Sequence, residues 1–255
     1  MHADSTTRIY SDAAYAEAVL IDGLDGNFIN SAVDSPVRLI RPARKLLRRV
    51  RAVFRQPIKR GLDITVAALL LVLLAPLMLA LASLIRRDGG AAFFRHQRMG
   101  VGGRPFHCLK FRSMHMDAQR LLHKFLETDP AAAQEWAAAR KLRNDPRVTP
   151  LGHVLRSTSL DELPQLINVL RGEMSLVGPR PIVADEREYY GRHIESYYKV
   201  RPGVTGLWQV SGRSSTSYER RVALDVRYVK RHSLRLDAWI LFRTIPAVLL
   251  RRGAV

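Results

Sequence analysis

Residues Ile64 to Ile85 form a run of 22 residues without one charged side chain, with Pro76 just past the middle. No other stretch constrains the chain so strongly. About 20 apolar residues, each rising about 1.5 Å along a helix, cover the hydrocarbon core of a bilayer. The run begins well inside the chain, and the segments on both sides of it are basic.

Residues 38–60 hold ten Lys and Arg and no acid. Among them Leu46, Leu47, Val50, Val53 and Phe54 recur at helical spacing, while Arg44, Lys45, Arg48, Arg49, Arg51 and Arg55 fill the other faces. The pattern predicts a basic amphipathic helix over 38–56, suited to anionic inner-leaflet lipids. A solvated basic arm or a nucleic-acid contact fits the composition too, but the adjoining apolar run argues for a membrane. Beyond the run come Arg86, Arg87, Arg95 and Arg98 against one acid, Asp88. Positive charge stays on the cytoplasmic side, so a simple span would have to translocate one of the two basic clusters. Charge and proline together favour a re-entrant helix broken at Pro76 over a single span and over a buried core helix. Pro76 has no N–H to donate, and its ring crowds the carbonyl of Val72.

The formal net charge of +18 is unevenly placed. Residues 1–34 carry six acids and one base, net −5, which leaves +23 for the remainder. That asymmetry points to an anionic partner: nucleic acid, anionic lipid or phosphorylated substrates. Residues 1–37 are expected to be a disordered acidic tail with no secretory signal. The single cysteine, Cys108, excludes an intramolecular disulfide and a multi-cysteine zinc site, and is expected to be a small buried hydrophobe.

The rest reads as an α/β domain rich in helix with short strands. Ala92–Gln97 and Pro105–Phe111 are short strand-like runs around Gly100, Gly102 and Gly103, which predicts a hairpin with a glycine-rich turn. Helices are expected over 117–126, 131–143, 185–199 and 218–231, the last opening with a capping box, Thr216 to Glu219. Residues 234–250 are apolar but interrupted by Arg235, Asp237, Arg243 and Pro246. They suit an interfacial helix, or one packed on the domain, rather than a second span.

Ser159-Leu160-Asp161-Glu162-Leu163-Pro164 is the most informative local sequence. Ser159 and Glu162 have capping-box spacing, with Asp161 favourable to a helix dipole, which is a purely structural reading. The chemical reading is that one carboxylate attacks a phosphoryl group while its neighbour holds Mg²⁺ or orients a group. Bases on constrained backbone surround it: Lys110 and Arg112 at the end of the second strand, Arg180 between two prolines, and Arg201 opening a glycine-containing segment. Such bases suit phosphate. Asp225 lies on the apolar stripe of the 218–231 helix, where an arginine partner is expected. The eight histidines lack metal-ligand spacing and read as surface or turn residues.

In order along the chain stand Lys59-Arg60-x-x-Asp63, Phe94-Arg95-x-Gln97-Arg98-x-Gly100, Lys110-Phe111-Arg112-Ser113-Met114 and Asp145-Pro146-Arg147-Val148-Thr149. Then follow Leu155-Arg156-x-x-Ser159 through Leu166, Gly172 through Pro181, and Arg201 through Gln209. This set resembles the bacterial sugar transferases, the monotopic polyprenyl-phosphate phosphoglycosyl transferases, over residues 57–252. The short form, without the added N-terminal spans of longer relatives, is the most similar. The resemblance implies a single monotopic membrane domain with interfacial amphipathic helices at the bacterial inner membrane, its catalytic part on the cytoplasmic face. It implies transfer of a sugar-1-phosphate, galactose or glucose, from a UDP-sugar to undecaprenyl phosphate with release of UMP, an early membrane step of exopolysaccharide synthesis. It places a covalent intermediate on Asp161, with Glu162 as metal and acid/base partner, Mg²⁺ as cofactor held by Asp161 and Glu162, and no nucleic acid as partner. Lys110, Arg112, Arg156, Arg180, Arg201 and Gln209 would line the phosphate and uridine site. Family members often carry serine before the proline; here the residue is Ala75. The rival reading is a non-enzymatic membrane scaffold or nucleic-acid-binding protein using residues 38–60. Oligomeric state and the identity of the sugar are left open.

Overall fold

The computed structural model describes residues 41–139, 142–212 and 216–249, in two units that divide between Arg60 and Gly61. The acidic tail, residues 1–37, lies outside the described residues. In the first unit residues 41–60 are helical, as their apolar periodicity predicts. They form the beginning of α1, Arg41–Ile85.

In the second unit α1 carries the apolar run. Its helical path continues through Pro76 to Ile85, so the proline does not end the helix. A proline removes one ladder hydrogen bond and at most bends a helix whose neighbouring turns stay bonded. The segment Gln56–Asp88 is the one helix among the described residues long and apolar enough to cross a membrane. Burial along it follows one stripe. Asp63, Ala67, Met78, Leu81 and Ile85 are buried, and Leu71 and Leu74 are partly covered. The steps of three and four residues keep them on one helical face. The other faces are apolar and open: Leu69, Val72, Leu73 and Leu79 are each at least 65% exposed.

After a 3₁₀ turn, Arg86–Asp88, come β1 (Phe93–Met99) and β2 (Pro105–Phe111). They pair antiparallel from Phe93↔Phe111 to Met99↔Pro105, the predicted hairpin. Gly102 and Gly103 take φ of 65° and 72° in the turn. A side chain at Gly103 would press on the Tyr198 ring. β2 is buried on both faces through Phe106, Cys108, Leu109 and Phe111, and Phe111 joins Met78, Leu81, Ile85 and Leu155 in the core beneath α1. Cys108 is buried as expected.

Helices α2 (Ala118–Thr128) and α3 (Pro130–Ala139) pack as a pair around Leu122, Ala132 and Leu142. α4 (Pro150–Thr158) and α5 (Gln165–Arg171) follow. β3 (Ser175–Val177) and β4 (Gly203–Thr205) form a second, parallel pair that the sequence did not reveal. Between them the expected helix over 185–199 is divided at Gly191, φ 47° and ψ −128°, into α6 (Arg187–Tyr190), a 3₁₀ turn and α7 (Ile194–Tyr197). A short helix α8 (Leu207–Val210) leads to α9 (Tyr218–Arg231) and α10 (Leu234–Leu249). The cap of α9 is Ser217 rather than Thr216; its side chain accepts from the Arg220 amide. α10 packs on the domain through Leu236, Asp237 and Ile240, one of the two expected roles, while Phe242 and Ile245 stay exposed.

Two polar anchors tie α1 to this unit. Just before the apolar run, buried Asp63 accepts from Ser175 Oγ at 2.7 Å and from the Leu176 amide at 3.3 Å. At the C-terminus, Arg112 donates to the Ile85 carbonyl at 2.8 Å, to the Ala91 carbonyl at 2.8 Å and to both oxygens of Asp88. Orphan carbonyls at a helix end need such donors.

Candidate active site

The site is built where α4 ends. Thr149 caps α4, its hydroxyl accepting from the Gly152 amide at 2.8 Å, with Pro150 in the first turn. Ser159 ends the helix in the left-handed region at φ 58°, alone among the described non-glycine residues in having positive φ. Its amide bonds back to the Arg156 carbonyl, so Ser159 closes one helix instead of capping the next. The capping-box reading of Ser159 and Glu162 is therefore overturned: no side-chain cap bond forms, and the Glu162 carboxylate is engaged elsewhere. A serine in this conformation carries strain of about 1 kcal/mol or more, a feature that gathers at functional sites.

The reversal of direction launches the 3₁₀ turn Leu160–Glu162. The two adjacent acids and the leucines that flank them split by environment. Leu160 and Leu163 pack into the core shared with Met78, Leu81 and Ile85 of α1. Asp161 and Glu162 face Lys110, from the end of β2. Lys110 Nζ lies 2.6 Å from Glu162 Oε1 and 3.7 Å from Asp161 Oδ2. Burial pushes the Asp161 carboxyl above the usual carboxylate range, the Glu162 charge adds to this, and Lys110 and Arg156 oppose it. Glu162 is held below its ordinary value, because the Lys110 charge and hydrogen bond outweigh burial. The same pairing keeps Lys110 protonated, raising its pKa despite burial. Two adjacent carboxylates thus differ: Glu162 is locked as an ion pair, and Asp161 is the more basic of the two.

Of the other predicted residues, Arg156 and Arg180 act on this pair. Arg156 Nε donates to Ser113 Oγ at 2.9 Å, and its charge favours ionised Asp161. Arg180 lies over the Trp208 ring at 5.7 Å, and its charge helps lower the Glu162 pKa. Arg112, Arg201 and Gln209 are placed differently. Arg112 holds the end of α1. Arg201 Nε donates to the Gly172 carbonyl at 2.8 Å, joining the approaches to β3 and β4. Gln209 Nε2 donates to the Val204 carbonyl at 3.2 Å, while its Oε1 is buried without a partner. Asp225 is buried, but its partner is the Tyr190 hydroxyl at 2.7 Å rather than an arginine side chain. Its second oxygen closes no hydrogen bond of normal geometry, and burial pushes the carboxyl up to about 7.

Two residues of β1 belong to the same neighbourhood and were not among the site residues expected from sequence. Arg98 donates to the Pro181 carbonyl at 3.2 Å and to Glu186 at 3.5 Å, tying β1 to the Arg180 segment. His96 sits between Arg98 and Lys110. The hairpin register would have found both, since cross-strand partners share a face.

The β3–β4 pair supports the Arg180 segment from below. A Cβ at Gly203 would lie 2.1 Å from the Gly178 nitrogen, and one at Gly206 would lie 2.3 Å from the Gly178 oxygen. The glycines are required for this backbone approach, which sets where Gly178-Pro179-Arg180 leaves the strand.

An apolar helix packed on a small domain, with a lysine-paired Asp-Glu turn beneath it and convergent arginines, defines a class. The family described as Bacterial sugar transferase matches residues 54–251, and the chain belongs to it. Among its relatives, the exopolysaccharide production protein ExoY of Sinorhizobium fredii is 53% identical over 197 residues, covering 77% of this chain and 87% of the relative. The UDP-galactose-lipid carrier transferase of Erwinia amylovora is 52% identical over 197 residues, 77% of this chain and 41% of that protein. A UDP-glucose:undecaprenyl-phosphate glucose-1-phosphate transferase of Caulobacter vibrioides is 45% identical over 205 residues, 77% and 71% of the two chains.

Proposed function

We propose that the protein transfers a hexose-1-phosphate from a UDP-sugar to undecaprenyl phosphate, releasing UMP, at the start of exopolysaccharide assembly. The observation that carries this is the Asp161–Glu162 turn, paired to Lys110 and anchored by Leu160 and Leu163 beneath the apolar helix. Galactose is the first choice of sugar, because two relatives above 50% identity are named for galactose, while relatives named for glucose are 45% and 41% identical.

In this reading an Asp161 oxygen attacks the phosphorus that bears the sugar. The bond to the UMP oxygen breaks, and an aspartyl phosphosugar forms. A phosphate oxygen of the lipid then attacks the same phosphorus, and the carboxylate of Asp161 leaves. Lys110 and Arg180 stabilise charge on the phosphoryl oxygens, and Arg156 favours the ionised nucleophile. Glu162 keeps Lys110 in place. Two neighbouring carboxylates are a donor set that suits Mg²⁺, which takes its remaining ligands from water and substrate phosphates. Asp161 and Glu162 would hold that ion, which supplies charge neutralisation at the diphosphate.

The re-entrant topology is part of the proposal. The buried stripe on α1 runs from Asp63 to Ile85, the full length of the apolar run. A polar-anchored domain flanking that whole length supports a helix that dips into one leaflet over a helix that crosses. The catalytic domain then stays on the cytoplasmic face of the inner membrane, where UDP-sugars are found.

The test is UMP release from UDP-galactose and UDP-glucose by the full chain with undecaprenyl phosphate. Wild type should release UMP and form the lipid diphosphate sugar. Asp161→Asn should lower turnover by about 10³-fold or more, as expected when a nucleophile is removed. Near-normal turnover by this variant would exclude the covalent role.

A further inference from the structure

β1 presents Phe94, His96 and Arg98 on the face that also carries Lys110, because cross-strand partners and alternate residues share a side of a sheet. Phe94 is the register partner of Lys110, and His96 that of Cys108. Lys110 reaches both catalytic-pair carboxylates, so this face borders the site. Phe94 is about half exposed, at 51%, and its ring lies 5.7 Å from the His96 ring at 59°.

The imidazole of His96 is fixed in one tautomer. Its Nδ1 lies 3.2 Å from Arg98 Nη2. A guanidinium only donates, so Nδ1 must be the acceptor and the ring proton resides on Nε2. Arg98 is itself held by Pro181 and Glu186, which fixes the ring's orientation. The groups acting on His96 are Arg98, Lys110, Arg180 and Glu186; burial and the three cations outweigh the one acid and keep the ring neutral. Nε2–H has no partner among the described residues. A neutral N–H donor set among cations is best matched by an anionic oxygen. Arg180, which forms no ion pair among the described residues, borders the same space. A diphosphate supplies oxygens to both.

We propose that His96 Nε2–H donates a hydrogen bond to a phosphoryl oxygen of a nucleoside diphosphate bound beside Asp161 and Glu162. The inference rests on the sugar-nucleotide reading above and adds a binding residue to it. The carbon skeleton of Phe94 then serves to hold the ring upright, not to contact phosphate.

The experiment is UDP binding to the full chain in lipid nanodiscs, by calorimetry and by ¹⁵N NMR of labelled histidine. The free protein should show His96 as the Nε2–H tautomer, and UDP should shift that nitrogen. His96→Ala should weaken UDP by about tenfold, the size of a hydrogen bond to a charged group. His96→Gln, which keeps an N–H, should restore most of the loss. Equal affinity in wild type and His96→Ala, an Nδ1–H tautomer, or failure of glutamine to rescue overturns the inference. So does a wild-type chain that binds no UDP. Wild type that binds UDP with the expected pattern, yet releases no UMP from UDP-sugars with undecaprenyl phosphate, overturns the proposed reaction and leaves the His96 contact standing.

Discussion

Asp161 and Glu162 are neighbours in sequence and unlike in chemistry, and one lysine makes the difference. Lys110 lies closer to Glu162, so Glu162 is held ionised while burial keeps Asp161 more basic. In the proposed reaction Asp161 attacks in its ionised form, so activity should fall as pH drops through its raised pKa. The acid limb of kcat should lie above the ordinary aspartate range. Lys110→Met removes an influence that lowers that pKa, so the limb should move to higher pH. A pH–rate profile of both proteins checks the sign; an unmoved limb would assign it to another group. Arg112 shows what residue types alone conceal. It was expected on phosphate, yet it binds the Ile85 and Ala91 carbonyls and Asp88. Losing the two carbonyl bonds in Arg112→Ala should cost about 2 kcal/mol, read as a lower melting temperature, with UDP binding little changed. Lys110, Arg156 and Arg180 stand out in the sequence as bases in constrained or family-like segments, the same ground that selects Arg112. Which arginine ends on a backbone carbonyl is decided by tertiary placement, and no local pattern encodes it.

Among the elements, the β1–β2 hairpin was legible because a glycine-rich turn, Gly100 to Gly103, separates two strand-like runs of seven residues each. β3 and β4 have three residues each, too few for a period, and their partnership depends on contacts between residues 175–177 and 203–205. Glycine carried the missing signal. Gly178, Gly203 and Gly206 permit an approach that a methyl group would forbid. Gly203→Ala should therefore destabilise the fold by about 3 kcal/mol or more through overpacking, with loss of nucleotide binding as the Arg180 segment shifts. Thermal unfolding and UDP affinity should fall together; an alanine variant of wild-type stability would mean the two strands can part without harm. The helix expected over 185–199 failed at Gly191, whose backbone leaves the helical region. The apparent capping box at Ser159 failed for a different reason. The spacing that starts a helix recurs here where one ends, and only backbone direction distinguishes the two.

At the level of the molecule, membrane association was legible in the uncharged run and its basic flanks, and the structure adds the buried stripe. Topology is testable by cysteine labelling. Native Cys108 is unsuitable, because it is buried and its thiol is pushed up to about 11. In a Cys108→Ala background, Gln56→Cys before the run and Tyr189→Cys in the domain sit at exposed positions. A re-entrant helix predicts that an impermeant maleimide labels neither in intact cells and both after lysis. Labelling of either one from outside would establish a span. The stripe on α1 also bears on how the enzyme can be handled. Met78, Leu81 and Ile85 share their core with Phe111, Leu155 and the leucines that flank the acid pair. Each such side chain contributes about 2 kcal/mol by burial. Cutting the chain after Ile85 would remove part of the hydrophobic core along with the anchor and expose Leu160 and Leu163 to water. No soluble catalytic fragment is to be had that way, so membrane attachment and an intact active site are one property of this chain, gained or lost together.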